Sequence, residues 1–298
     1  MRRHSLSSWR HTVLLGILLL TSLTFPLQVL ATTAATSSKG LTFSPLRTEL
    51  GIAPGTSHET LLRVTNSTDK PMVVRLSAEA FRVINQQYDY AFSSESDLAK
   101  WVWFASEEVS LAPGERKNVT ATIGVPLTTE PGGRYISLFA STDTGTENDG
   151  INSRQRVASL IYLTVLGDVS RVGRVVSLAA PWFVSGQSQW SMAIRNSGTT
   201  HFQSRYEVRI QHLFGDGIVA KTSGDALILP GTVRAVSDTL PVLAWPGLYK
   251  VVYTIGLGDT PTKAETRFVL YMPPAALAVI AIIVLAVGLL LLRRRRKH

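Results

Sequence analysis

At 298 residues, 45% hydrophobic and only 17% charged, the chain has room for one large domain or two ordinary ones. That balance is too apolar for a disordered chain, and the lack of cysteine excludes a disulfide scaffold, thiolate metal or iron–sulfur ligation and a cysteine nucleophile. The net charge of +9 sits at the ends: Arg2, Arg3, Arg10 and the five residues Arg293–Lys297 leave 22 basic against 21 acidic residues between Thr32 and Leu292. Basic excess beside apolar segments reads as membrane topology, so nucleic acid is not an expected partner.

Residues 1–31 have the three parts of a secretory signal: a basic start, the apolar core VLLGILLL (Val13–Leu20) and Val29-Leu30-Ala31 as a cleavage site. An uncleaved signal anchor is the alternative. Thr21, Ser22, Thr24, Pro26 and Gln28 dilute the second half and favour cleavage.

From Gly40 to Met272 the dominant period is two. Val74, Leu76, Ala78 and Ala80 alternate with Arg75, Ser77 and Glu79; Val119, Ala121, Ile123 and Val125 alternate with Thr120 and Thr122; Tyr206, Val208 and Ile210 alternate with Glu207, Arg209 and Gln211. Such alternation means strands half-buried in antiparallel sheets. Turn signals such as APG, NST, FGDG, LPG and WPG recur between them, and convincing amphipathic helices are absent. Short strands at that spacing predict β-sandwiches.

A weak internal repeat divides this region. LLRVTNSTDKP (Leu61–Pro71) matches SMAIRNSGTTH (Ser191–His201), VSLAPGERKNVTATI (Val109–Ile123) matches ALILPGTVRAVSDTL (Ala226–Leu240), and PGGRYISLF (Pro131–Phe139) matches WPGLYKVVY (Trp245–Tyr253). The order is kept and the loops shrink. The expected fold is therefore all-β: two tandem Ig-like antiparallel β-sandwich domains, over residues 40–170 and 171–272, and one C-terminal transmembrane helix. A single long sandwich is the alternative. The tyrosine after each Pro-Gly turn is expected to anchor its strand in the core.

Side chains that could carry chemistry are few. His201 and His212 could occupy neighbouring strands, but no third ligand arrives at metal-site spacing. Glu107 and Glu108 are adjacent on one strand, so they point to opposite faces and cannot flank one glycosidic bond. DTGTENDG (Asp143–Gly150) lacks the alternating ligands of a calcium loop and reads as an exposed hairpin. No GxSxG elbow occurs. No catalytic residue, cofactor or metal is expected, and the chain is not expected to be an enzyme. The binding candidates are Trp101 and Trp103 of the WVWF cluster, placed on one strand face, with Arg134 and Tyr135 after the double glycine. The tryptophans read either as core or as a platform for sugar rings or a partner.

Ala275–Leu292 has no polar side chain, and its 18 residues make about 27 Å of helix against the ~30 Å hydrocarbon core. The adjoining RRRRK block is a stop-transfer and positive-inside signal. The predicted order is signal peptide 1–31, ectodomain 40–272 outside, transmembrane helix 274–292 and cytoplasmic tail 293–298. This order predicts a single-pass type I protein of the cell membrane. No LPxTG-type sorting signal precedes the helix.

The first repeat resembles the WxL-interacting surface proteins of Gram-positive bacteria, in particular their peptidoglycan-binding-type N-terminal domain. The matching pieces are FSPLRTELGIAPGTSHETLLRVTNSTDKP, VSLAPGERKNVTATIGVP, PGGRYISLF and INSRQRVASLIYLTVLG. The match covers residues 40–170 and fades over the second repeat. The resemblance implies a membrane-tethered bacterial surface protein that contacts cell-wall polymer or another surface protein. The alternative is a structural spacer or a pilus-chaperone-like assembly factor offering an edge for strand addition.

Overall fold

The computed structural model describes residues 40–143, 154–215 and 217–295. The signal segment, most of the acidic loop Asp143–Gly150 and the last three tail residues lie outside the described residues.

The first sandwich has two sheets. One is β1 (Leu41–Ser44), β3 (Ser57–Asn66), β8 (Arg116–Gly124) and β6 (Val102–Phe104), in that spatial order. The facing sheet runs β2 (Arg47–Ile52), β10 (Arg154–Val165), β9 (Gly132–Asp143), β4 (Met72–Val83) and β5 (Tyr90–Ser93), with β7 (Glu108–Leu111) also on β4. The second sandwich repeats this plan: β11 (Gly173–Ala179), β13 (Ser188–Asn196) and β16 (Val233–Leu240) face β12 (Phe183–Val184), β18 (Thr260–Tyr271), β17 (Gly247–Leu257), β14 (Phe202–His212) and β15 (Ile218–Ile228). Each departs from the antiparallel expectation at one edge, where β2 runs parallel to β10 and β12 parallel to β18. Helix α1 (Pro274–Arg295) has no buried residue and runs three residues past its expected end.

Alternation places the cores as expected. Val74, Leu76, Val119, Ala121, Ile123, Ile136 and Leu138 are buried in one cluster. Val208, Ile210, Trp190, Val251 and Tyr253 are buried in another.

The internal repeat has a physical basis that its turn residues only hint at. Asn66 and Asn196 end equivalent strands and both are fully buried. The Asn66 Nδ2 donates to the carbonyls of Lys70 (2.7 Å) and Ala112 (3.0 Å), and its Oδ1 accepts from the Thr68 N–H (2.9 Å). Asn196 Nδ2 donates to Thr200 (2.8 Å) and Ile228 (2.9 Å), and its Oδ1 accepts from the Gly198 N–H (2.9 Å). One amide thus ties the polar turn after its strand to the strand entering the Pro-Gly turn, satisfying backbone groups that burial would otherwise orphan. Gly114 and Gly231 close those turns at φ 72° and 73°, the left-handed region where glycine carries no Cβ penalty.

The third pair of matched segments does not hold in its facing. Tyr249 is buried in the second core, but Tyr135 lies on the opposite face of β9 from core residues Ile136 and Leu138. Strand β9 starts three residues before its tyrosine and β17 only two, so the pleat is shifted by one.

Strand direction sorts the loops of the second sandwich by end. The β13–β14, β15–β16 and β17–β18 turns lie at the end that meets the first sandwich. The β14–β15 and β16–β17 turns and the Trp182–Phe183 segment lie at the other end, where β18 passes into α1.

Candidate functional site

Where the two sandwiches meet, the outer face of the first is buried. Along β4 the odd-numbered residues Val73, Arg75 and Ser77 are exposed, yet Phe81 is buried. It packs with Tyr88, Tyr162, Leu227 and Leu229 in a third apolar cluster that draws on both sandwiches. Phe81 makes edge-on contacts with Tyr90 (5.3 Å between centroids) and Tyr162 (5.4 Å), a geometry that adds to area burial.

The β4–β5 turn acts as a clasp. Tyr88 holds a φ of 71°, which a bulky residue keeps only when its surroundings fix it. Its hydroxyl accepts from the Leu229 N–H at 2.8 Å and lies 2.7 Å from Thr232 Oγ1, while Arg234 sits over its ring at 4.3 Å. The Ala235 N–H donates to the Gln86 carbonyl (2.9 Å), and the Gly133 N–H to that of Thr199 (2.9 Å). Thr164 and Thr200 hydroxyls meet at 2.9 Å. Burial pushes the hydroxyls of Tyr88, Tyr135 and Tyr162 up, so they stay neutral hydrogen-bonding groups.

His201 stands in this joint. It is buried, with Tyr135 Oη 3.4 Å from its Nδ1 and the Tyr135 and Tyr162 rings each 5.7 Å away. Burial lowers its pKa to about 4; Glu49 opposes the shift, while Arg171 and Arg47 add to it. The imidazole is therefore neutral at physiological pH. His212 lies at the far end of β14, against Tyr249, so the two histidines do not occupy neighbouring strands. An open groove of about 450 Å³ beside His201 is lined by Glu49, Arg171, Gln203 and Asp259. Arg47 there is paired with Glu49, and the Arg171 N–H donates to Asp259. Among the described residues no group of three or more His, Cys, Asp or Glu could hold a metal. Glu108 pairs with Arg75 at 2.8 Å on the solvent side.

The candidates separate. Trp101 ends a 3-10 helix (Asp97–Trp101) capped by Ser96, and it packs half-buried on the first core with Val102 and Phe104. Strand β6 begins only at Val102, so Trp101 and Trp103 do not share a strand face. Trp103 points outward, 52% exposed, with its ring against Gly124, where a Cβ would come within 2.7 Å of it. Exposed Leu61 lies on β3 of the same sheet. Arg134 donates to the carbonyls of Gly133 (3.0 Å) and Glu130 (3.1 Å) and so braces its own loop, while Tyr135 belongs to the joint. The residues that sequence reasoning missed are Tyr88 and the two asparagines. Asn-Ser turns recurring before Pro-Gly turns were the available signal for the asparagines; a covered tyrosine in a polar turn left none.

The chain matches no protein-family model and no curated protein. Similar solved structures include the class 5 fimbriae chaperone CfaA, at 12% identity over 78% of this chain and 99% of that one, with a TM-score of 0.42. A chain of the chaperone–tip adhesin complex of CFA/I fimbriae matches at 13% identity, with the same coverages and a TM-score of 0.40. A chain of the Salmonella enterica SafA pilin–SafB chaperone complex matches at 10% identity over 78% and 99%, with a TM-score of 0.38.

Proposed function

We propose that this chain is a membrane-anchored, non-catalytic binding module of a bacterial cell surface. In this reading α1 spans the membrane with its arginines in the cytoplasm. The two sandwiches stand outside and hold another surface protein, or cell-wall polymer, close to the bilayer. The observation that carries binding is Trp103: a half-exposed indole lying over a glycine on an outer sheet face offers a rigid apolar surface at low entropic cost. The clasped joint supports the same reading, because a fixed two-sandwich arm keeps that face at a set height. Contact with the wall or with a WxL-type partner is part of this proposal.

The test uses the full chain in detergent or in cells. Co-sedimentation with insoluble peptidoglycan should be strong for wild type and lost in Trp103→Ala, with melting unchanged. If wild type stays in solution, a photo-crosslinking residue at position 103 in intact cells should capture one surface protein. Failure of both ends the reading.

Assembly by strand addition is favoured by one feature, the edge strand β15. It closes its sheet, opens with exposed, uncharged Ile218 and Val219, carries Lys221 and Asp225 further along, and is buried from Ala226 onward. The opposite edge, on β18, carries Pro261, Lys263, Glu265 and Arg267, the residue types that block strand pairing. A crosslinker at Ser223 capturing protein where one at 103 captures none would select this reading.

A further inference from the structure

Most of the exposed large apolar side chains of the second sandwich gather at one end; Val172 and Val176 are the exceptions. Trp182 is 75% exposed, Trp245 76% and Phe214 90%, with Phe183, Ile218 and Leu248 also open. The pairing register brings several of them together: Phe183 and Leu248 both sit opposite Leu270, on either side of it, and the Trp182 ring lies tilted against that of Phe183 at 5.7 Å between centroids. Phe214 lies in the turn after β14 and Ile218 opens β15 beyond it, and the last residue of β14, His212, pairs with Tyr249, one step from Leu248. The segments Ala179–Ser188 and Pro241–Gly247 contain no charged residue. Exposed apolar side chains concentrated along one rim in this way mark a contact surface.

The chain itself says what lies against it. The Leu270 N–H donates to the Trp182 carbonyl (2.8 Å) and the Met272 N–H to that of Val184 (2.9 Å), so β18 is bonded up to Met272. Only Pro273 separates that residue from the first residue of α1. Two Cα steps reach at most about 7.6 Å. The 22-residue helix is about 33 Å long, the hydrocarbon core about 30 Å, and the polar layer on each side about 5–7 Å thick. A helix filling the core therefore holds the last bonded row of the sheet at headgroup depth. Tryptophan and its neighbours favour that layer, where an apolar ring and a polar N–H are both accommodated.

We infer that this rim is a lipid-docking surface: Trp182, Trp245 and Phe214 seat in the headgroup layer of the bilayer that α1 spans and hold the second sandwich down on the membrane. This rests on reading α1 as a membrane span, and the test separates the two. The full chain is reconstituted in phosphatidylcholine–phosphatidylglycerol vesicles with or without bromine on the upper acyl chain, a contact quencher of indole. Wild-type fluorescence should be quenched, and Trp182→Phe/Trp245→Phe should lose the larger part of that quenching, whereas Trp103→Phe keeps it. Quenching that survives the double substitution overturns the inference. So does a chain that resists alkaline extraction but shows no quenching, which leaves the span intact. Quenching that vanishes in single-copy nanodiscs assigns the rim to a second copy and also overturns it. A chain that alkaline carbonate extracts takes both readings down.

Discussion

The two sandwiches share a strand order and a buried asparagine, and they diverge immediately after their fourth strand. In the second, β14 turns directly into the single strand β15. In the first, the chain after β4 breaks into the clasp turn, β5, the 3-10 helix, β6 and β7. That insertion contributes most of the features specific to the first sandwich: Tyr88, which locks the joint, Trp101, which supports the core, and Trp103, which faces out. The common plan is held by backbone satisfaction, and the individual features grow from the one place where that plan leaves the chain free.

If the shared asparagine holds the plan, its loss should have the largest effect. Asn196→Ala removes the amide that donates to two buried carbonyls and accepts from the Gly198 N–H, and each group so orphaned costs about 1–3 kcal/mol. Unfolding in denaturant should show a loss of about 3 kcal/mol, with Asn66→Ala alike. A loss under about 1 kcal/mol at either site would break the equivalence.

The joint predicts a pH dependence. The folded His201 pKa of about 4 lies below the unfolded value of about 6.5, so the unfolded state binds the proton first. The joint's contribution is complete above pH 6.5 and is lost as pH falls from there toward 4, by about 2 kcal/mol after discounting for solvent. His201→Phe should flatten that slope in a urea series across these pH values.

The two tryptophans sharpen the account of the insertion. Trp101→Ala should cost about 2 kcal/mol, less than a fully buried tryptophan, and Trp103→Ala less than about 1 kcal/mol. Equal losses would mean that the helix-to-strand boundary at Val102 is misplaced. The smallest effect is expected at Tyr253, whose buried hydroxyl has no partner and whose pKa burial pushes up to about 12. Tyr253→Phe should leave melting unchanged or raise it slightly, since it removes an unsatisfied group.

Much of this was legible from residues alone. Alternation in Val74–Ala80, Val119–Val125 and Tyr206–Gln211 assigned the core faces correctly, because one face of each sheet meets its own sandwich. Phe81, Tyr135 and Tyr162 were not legible, because their covering comes from the other sandwich and leaves no local period. The asparagine turns were visible as a repeat but not as a tie, since Asn66 and Ala112 meet only after folding. For Trp101, the Ser96 cap was the unused sign that a helical turn interrupts the alternation.

The central claim is that the sandwiches stand outside a membrane that α1 crosses. Protease added to intact cells, or to protoplasts stripped of wall, tests it most directly. The account predicts removal of the region from Gly40 to Met272, with survival of a small protected fragment that contains Arg293–His298. Protection of the whole chain until the membrane is opened would contradict it.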